Sequence, residues 1–311
     1  MKKYIVILIV IIAAAGIYFF TRGSSSNIEV NQGENLTPTA NGEVDIDTAR
    51  REPDEADKIG EKETVLGKSV QEREIIAYNY GDGDRKLLFI GGIHGGYSWN
   101  TALVAYELMD YLEKNPNAVP DNIKVTVVPV LNPDGLNKIV GTSGVFAKAD
   151  VKLSGEATVP GRFNANNVDL NRNFDCDWQS EGVWQSQSVD GGSQPFSEPE
   201  SQAIKNYIET NEPNAVVVWY SAAGGVYASS CHNDVLPETD TILNTYSKAS
   251  GYKAYKNFDY YAITGDMVNW LAKNNIPAIS VLLTTHADTE WSKNRAGVDA
   301  LMKYYAEKAS E

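Results

Sequence analysis

An α/β domain with a mixed central β-sheet flanked by helices on both faces is the fold this sequence predicts, and three observations predict it. From Glu63 onward, short strand-like apolar runs alternate with segments of helical periodicity. Two runs, Ala215–Ser221 and Ala278–Leu283, are apolar at nearly every position, as strands covered on both faces are. Glycine-rich turns lie where the strand-like runs end, on the side where open α/β sheets bind ligands.

Ahead of that domain, residues 4–20 form an uninterrupted apolar run behind Lys2 and Lys3, closed by Thr21 and Arg22. At 1.5 Å per residue the run spans roughly 25 Å, near the short limit for a membrane helix. Residues 1–22 are therefore expected to be a membrane anchor, with two lysines before the segment against one arginine after it placing the N-terminus in the cytoplasm. A cleaved signal segment is the alternative, since Ala13-Ala14-Ala15 offers small residues for cleavage, although the apolar run resumes at Ile17-Tyr18-Phe19-Phe20. Either way the rest of the chain is extracytoplasmic, membrane-tethered or secreted. Residues 23–62 are Ser/Asn/Gly-rich and then acidic, without apolar periodicity, and read as a flexible linker that buries too little surface to offset its ordering entropy. Residues 63–311 form the folded domain. A net charge of −14 excludes the basic surface that nucleic acid requires.

Within the domain, residues 73–80 and 86–91 flank Gly81-Asp82-Gly83-Asp84 and read as a hairpin. Residues 99–113 carry helical spacing at Leu103, Leu108 and Leu112. The β-branched run 124–130 stops at the turn signal Asn132-Pro133-Asp134-Gly135. Ser197-Glu198-Pro199-Glu200 starts a helix, with Ser197 as N-cap, proline in the first turn and Glu three residues on. Residues 265–273 and 290–307 read as helices. Cys176 and Cys231 are the two cysteines, an even number in a compartment that permits disulfides. A bridge would close a loop worth roughly 4 kcal/mol in the loop-entropy model; two unrelated buried thiols are the alternative.

The chemistry concentrates in Gly161-Arg162-Phe163-Asn164-Ala165-Asn166-Asn167-Val168-Asp169-Leu170-Asn171-Arg172-Asn173-Phe174. Two arginines on one Asn-rich loop offer planar forks for a carboxylate, and Asn171 adds an amide donor. Arg172 could instead staple its own loop by pairing with Asp169 or Asp175. Gly91-Gly92-Ile93-His94-Gly95-Gly96 surrounds a histidine with backbone that something approaches closely.

These two segments resemble the metallocarboxypeptidase family, the carboxypeptidase A/B-like zinc exopeptidases. Asn132-Pro133-Asp134-Gly135, Pro195-Phe196-Ser197-Glu198-Pro199-Glu200, and Tyr261 followed by Gly265 and Trp270 extend the likeness in the family's order, from about Val65 to the chain end. The resemblance implies a zinc-carboxypeptidase-like fold. It implies that Asn171 and Arg172 hold a peptide's terminal carboxylate, that Arg162 polarises the scissile carbonyl, that Tyr261 closes over the peptide, and that Val268 lines an apolar side-chain pocket, although Asn269 stands where the family usually has Asp. His94 matches the first zinc ligand, with Asp169 fixing its tautomer from behind. Cys176 and Cys231 fall on loops around the same cleft, which favours the bridge.

The departures are as specific as the matches. A zinc site of this kind needs two histidines and a carboxylate, with an open position for water. The ligand Glu position carries Tyr97, or Ser98 if one residue is inserted; the second histidine position carries Tyr220; the general-base position carries Leu282. Leucine cannot take a proton, and losing the general base alone costs about 10²- to 10⁴-fold. Removing a divalent cation together with two carboxylates leaves the pocket's charge nearly unchanged, whereas either carboxylate kept alone would be buried uncompensated. A rebuilt metal site from His94, His232 and His286 has no short-range spacing in its favour. The expectation is a catalytically impaired carboxypeptidase fold that binds peptides with a free C-terminus, including cell-wall stem peptides, with zinc absent or weakly held. The alternatives are an active zinc carboxypeptidase and a structural module with a vestigial cleft.

Overall fold

The computed structural model describes residues 62–308. The anchor or signal expected at 1–22 and all but the last residue of the linker at 23–62 lie outside the described residues. Among the described residues no helix is long and apolar enough to cross a membrane.

One eight-stranded mixed sheet runs through the domain, with β1 (Glu63–Lys68) at one edge and β8 (Gly225–Ala228) and β9 (Ala254–Tyr255) at the other, in the order β1-β2-β4-β3-β7-β10-β8-β9. Its centre is four mutually parallel strands, β4 (Ile123–Val128), β3 (Arg85–Ile90), β7 (Ala215–Ser221) and β10 (Ala278–Leu283). Phe89 stands beside Val127 on one side and Val217 on the other. Alternate side chains enter two cores. Leu87, Phe89, Val217, Trp219 and Val281 pack under α1 (Trp99–Lys114), α4 (Pro237–Ser250) and α6 (Trp291–Glu307). Leu88, Ile90, Val216, Val218 and Ala278 pack under α3 (Pro199–Asn211) and α5 (Met267–Lys273). Burial on both faces explains the unbroken apolar runs of the central strands.

Three local expectations change. The hairpin between residues 73–80 and 86–91 does not form: β2 (Glu74–Tyr80) and β3 both pair with β4, which inserts between them. All but one of the β4 residues are buried, so the strand belongs inside the sheet, and Gly83 turns tightly enough that a Cβ would lie 2.0 Å from the Asn122 backbone. Asn132-Pro133-Asp134-Gly135 opens a helix, α2 (Pro133–Val140), because the Asn132 side chain accepts from Gly135 N and caps it. The N-cap of α3 is Glu198, not Ser197. Its neighbouring carboxylates serve the site instead: Asn164 Nδ2 donates to Glu198 at 2.7 Å and to Glu200 at 3.1 Å, tying the arginine-bearing loop to the start of α3.

Candidate active site

The site forms where β3, β7 and β10 end. Tyr220 and Leu282 occupy directly paired positions on adjacent parallel strands, so both project from the same face of the sheet. His94 follows β3 on a glycine turn pressed against the arginine loop: Gly95 has φ +41°, and a Cβ there would lie 2.6 Å from Gly161 O. Gly96 N donates to that carbonyl at 3.1 Å, fixing His94 beside Arg162. Above them lie the hairpin of β5 (Glu181–Trp184) and β6 (Gln187–Asp190) and the loop that leads into α5.

A cavity of about 290 Å³ is lined by His94, Arg162, Asn171, Arg172, Tyr220, Tyr261, Val268 and Leu282. Tyr97 and Ser98 fall outside that lining. Tyr97 packs between Trp184 (ring centroids 5.1 Å) and His286 (4.4 Å), and Ser98 is buried at the start of α1. Cys176 and Cys231 are joined as a disulfide.

Arg172 is 1 % exposed. Its Nε and Nη2 donate to Val183 O at 3.1 and 2.6 Å, and its Nη1 donates to Asn171 O at 2.6 Å. It does not staple its loop through a carboxylate. Asp169 is taken by Arg162, and Asp175 pairs with Lys273 at 2.8 Å. Among the described residues no carboxylate oxygen lies within 4 Å of Arg172. A guanidinium has five N–H groups, so two remain, one on each terminal nitrogen. Asn171 donates to Asp266 at 2.8 Å and accepts from Tyr220 and from Met267 N, each at 3.2 Å, which leaves one amide N–H. Tyr261 lies over the Arg172 fork, 5.9 Å from ring to guanidinium.

Arg162 is bound differently. Its Nε and Nη2 both meet Asp169 Oδ2 at 2.8 Å, and its plane lies 4.5 Å from the Trp184 ring. Burial alone would raise the Asp169 carboxyl, but Arg162 and Arg172 bring it below its ordinary value, so it is ionised. Asp169 lies behind His94 but does not hydrogen-bond it: Nε2 is 3.7 Å from Oδ1, which already accepts from Asn171 N.

Burial pushes the His94 pKa well below the ordinary range, with Arg162 reinforcing it. The ring is neutral, and neither nitrogen has a hydrogen-bond partner. Burial pushes the Tyr220 phenol well up, with Asp266 adding to it, so a phenolate ligand is unfavourable. Leu282 supplies no ligand atom. Among the described residues, the only cluster of three His, Cys, Asp or Glu groups close enough to share an ion is Cys176, Asp177 and Cys231, whose sulfurs are bonded to each other. His232 pairs with exposed Asp177 at 2.7 Å and His286 packs on Tyr97, so the three histidines do not assemble a site. The side chains around His94 do not fit the two-histidine, one-carboxylate pattern of a zinc centre.

Three contributors escaped the sequence reading. Trp184 covers Arg162, the Val183 carbonyl holds Arg172, and Asp266 is a buried carboxylate in the cavity wall that also accepts from Asn269 N at 3.0 Å. Only Asp266 left a signal, an N-cap residue immediately ahead of the α5 periodicity.

Comparison with known proteins gives a consistent picture. The zinc carboxypeptidase family model matches residues 55–298. Gamma-D-glutamyl-L-diamino acid endopeptidase 1 of Lysinibacillus sphaericus is 24% identical over 218 residues, covering 64% of this chain and 55% of that protein. Human carboxypeptidase D is 32% identical over 122 residues, covering 35% of this chain and 8% of that protein. The chain thus spans about half the length of the first of these relatives and a small part of the second. Among solved structures, thrombin activatable fibrinolysis inhibitor superposes with a TM-score of 0.64 at 16% identity, over 79% of this chain and 69% of that one. The murein-tripeptide amidase of Escherichia coli O157 gives 0.53 at 19% identity, over 80% and 93%. These two likenesses establish the fold. The family match covers most of the chain, and this protein belongs to the zinc carboxypeptidase family.

Proposed function

We propose that this protein binds the C-terminal carboxylate of peptides in a carboxypeptidase cleft whose hydrolytic apparatus is impaired. The observation that carries the reading is Arg172, a buried guanidinium held in place by main-chain carbonyls, with two N–H groups unused and, among the described residues, no carboxylate oxygen within 4 Å. Asp169 and Asp266 act on Arg172 only from beyond ion-pair distance; a buried charge without a directly paired partner is costly, and a ligand carboxylate relieves that cost through a bidentate pair. Asn171 supplies a third donor, Tyr261 closes over the fork, and Val268 gives the terminal side chain an apolar wall. Arg162 faces the same cavity but is engaged by Asp169 and covered by Trp184, and Leu282 stands where a proton acceptor would be needed.

One relative is named for gamma-D-glutamyl-L-diamino acid peptides and one solved structure of the same fold for a murein tripeptide, which supports stem peptides as the source of the ligand. In this reading residues 1–22 anchor the chain, 23–62 tether it, and residues 63–311 work outside the cytoplasm.

The test is binding by the full-length chain of a panel of free-acid tripeptides, including stem-peptide sequences, against their C-terminal amides. Zinc content and release of C-terminal residues are measured on the same preparation. Binding of free acids that amidation abolishes, with substoichiometric zinc and no release, is the expected result. Equimolar zinc with chelator-sensitive release would replace this reading with an active carboxypeptidase. Indifference of all binding to Arg172→Ala would leave only a vestigial cleft.

A further inference from the structure

Among the buried polar side chains of the cavity wall, His94 is one that the grip on the carboxylate does not use. His94 is 5 % exposed, lines the cavity, and has no hydrogen-bond partner at either ring nitrogen. An imidazole carries one N–H and one lone pair, and leaving both unpaired in a buried site is costly. Nε2 faces Asp169 Oδ1 at 3.7 Å, across the back of the site, so the proton belongs on that nitrogen. The lone pair is then on Nδ1. The surrounding side chains bring no donor to it. Tyr220 turns its hydroxyl to Asn171 at 3.2 Å, Leu282 has none to give, and the Asp169 oxygens are held by Arg162 and by Asn171 N.

Resting on the reading above, we infer that His94 Nδ1 accepts a hydrogen bond from the last backbone amide N–H of the bound peptide. The residue at the family's first zinc-ligand position thereby becomes a recognition group for the peptide bond beside the terminal carboxylate. Covalent geometry makes the pairing specific. The terminal carboxylate and the last amide nitrogen flank a single Cα, so a ligand seated on Arg172 carries its N–H at a fixed short distance from the fork. Asn171, Tyr220 and His94 form the wall next to that fork, with Tyr220 bonded to Asn171 and its ring 5.6 Å from the His94 ring. The ligand class is therefore an N-acylated amino acid or longer peptide. A carboxylate without an adjacent N–H satisfies Arg172 and leaves His94 unpaired.

The experiment compares the tightest free-acid peptide of the panel with its depsipeptide, in which an ester oxygen replaces the last amide N–H. Calorimetric titration uses full-length protein in chelator-containing buffer. For the native chain the ester is expected to bind about tenfold more weakly, the size of one hydrogen bond whose loss strands a buried acceptor. In His94→Ala the amide and ester should bind within about twofold of each other. His94→Gln, which restores an acceptor oxygen, should recover part of the difference; a purely structural histidine gives no such amide-specific rescue. Equal binding of both ligands by the native chain overturns the inference, as expected if water serves Nδ1. So does a tenfold gap that persists in His94→Ala. Loss of amide binding on chelation means that a metal occupies the position and overturns it too. If the free acid binds no better than its C-terminal amide, the carboxylate reading fails and the inference falls with it. A free-acid preference without an ester penalty sinks the inference alone.

Discussion

Two walls of one cavity differ in how their polar atoms are satisfied. On the loop wall, Asp169 accepts from Arg162 and Asn171, Asn171 bridges Tyr220, Met267 and Asp266, and Arg172 is clamped by two carbonyls. On the strand-end wall, the His94 ring bonds to nothing and the Leu282 side chain has nothing to bond with. The first wall keeps its shape through its own hydrogen bonds and needs no ion to hold it. The second could do metal chemistry only with side chains that this sequence does not place there. In the proposed reading, recognition and catalysis are separable in this fold, and substitution alters one without dismantling the other.

The strongest way to break the contrast is to attack the loop wall's own cohesion. Asp169→Ala leaves Arg162 as an uncompensated buried charge and frees Asn171 N, an expected loss of about 3–5 kcal/mol in urea denaturation. Replacing both partners with apolar residues, Arg162→Met with Asp169→Leu, should recover much of that loss, since the penalty comes from the orphaned charge. If the single and double changes cost the same, the pair does not organise the wall.

Arg172→Met should cost about 2–5 kcal/mol in free-acid affinity and change affinity for the amidated peptide little. Because Arg172 is held by carbonyls and no carboxylate lies within 4 Å of it, its removal breaks no ion pair, although Asp169 and Asp266 lose its field, and the melting temperature should fall less than in Asp169→Ala. Equal losses for acid and amide would show that Arg172 supports the fold and does not read the chain end.

Acidity probes the strand-end wall. The folded His94 takes up its proton only at a pH below the ordinary histidine value, whereas the unfolded chain takes it up near that value, about 6.5. Between those points the unfolded state binds more protons, so stability is present above pH 6.5 and is lost as the pH falls through the folded pKa. Urea midpoints at pH 7, 6 and 5 should decline, and His94→Gln should reduce the slope by roughly one proton. His286 is shifted the same way by burial and adds to the slope, the carboxyls of Glu107, Glu200 and Asp266, raised by burial, oppose it as the pH falls, and the Asp169 shift acts only at lower pH, below the ordinary carboxylate range. An unchanged slope in His94→Gln would mean that His94 already has a partner in solution.

How much of this was legible in the sequence depended on whether a side chain or the main chain carries the contact. The resemblance placed Tyr220 and Leu282 near the ends of Ala215–Ser221 and Ala278–Leu283, and the register that pairs them on adjacent parallel strands is what puts both on one face. The hairpin between β2 and β3 was misread because a sequence of strands does not state which strand lies beside which, and β4 came between them. The Arg172 clamp was invisible for a related reason. Its acceptors are carbonyls of Val183 and Asn171, which any residue would present, whereas Asp169 and Asp175 advertise themselves as partners and are engaged elsewhere.

The smallest expected effect is also the sharpest test of where the loop wall ends. Trp184 covers Arg162 at 4.5 Å, while the carbonyl of the preceding residue, Val183, holds Arg172, so one hairpin touches both arginines through different atoms. Trp184→Leu removes the ring face but leaves the carbonyl, and the lost cation–π contact should lower stability by about 0.5–2 kcal/mol. Free-acid affinity should change less than threefold, roughly the effect of 0.6 kcal/mol, because the Arg172 fork keeps its clamp. Tyr97→Leu, whose ring lies 5.8 Å from the same guanidinium, should do less still. If Trp184→Leu lowers free-acid affinity as far as Arg172→Met does, the hairpin acts on the chain end through its side chain as well as its backbone, and the grip extends across both arginines.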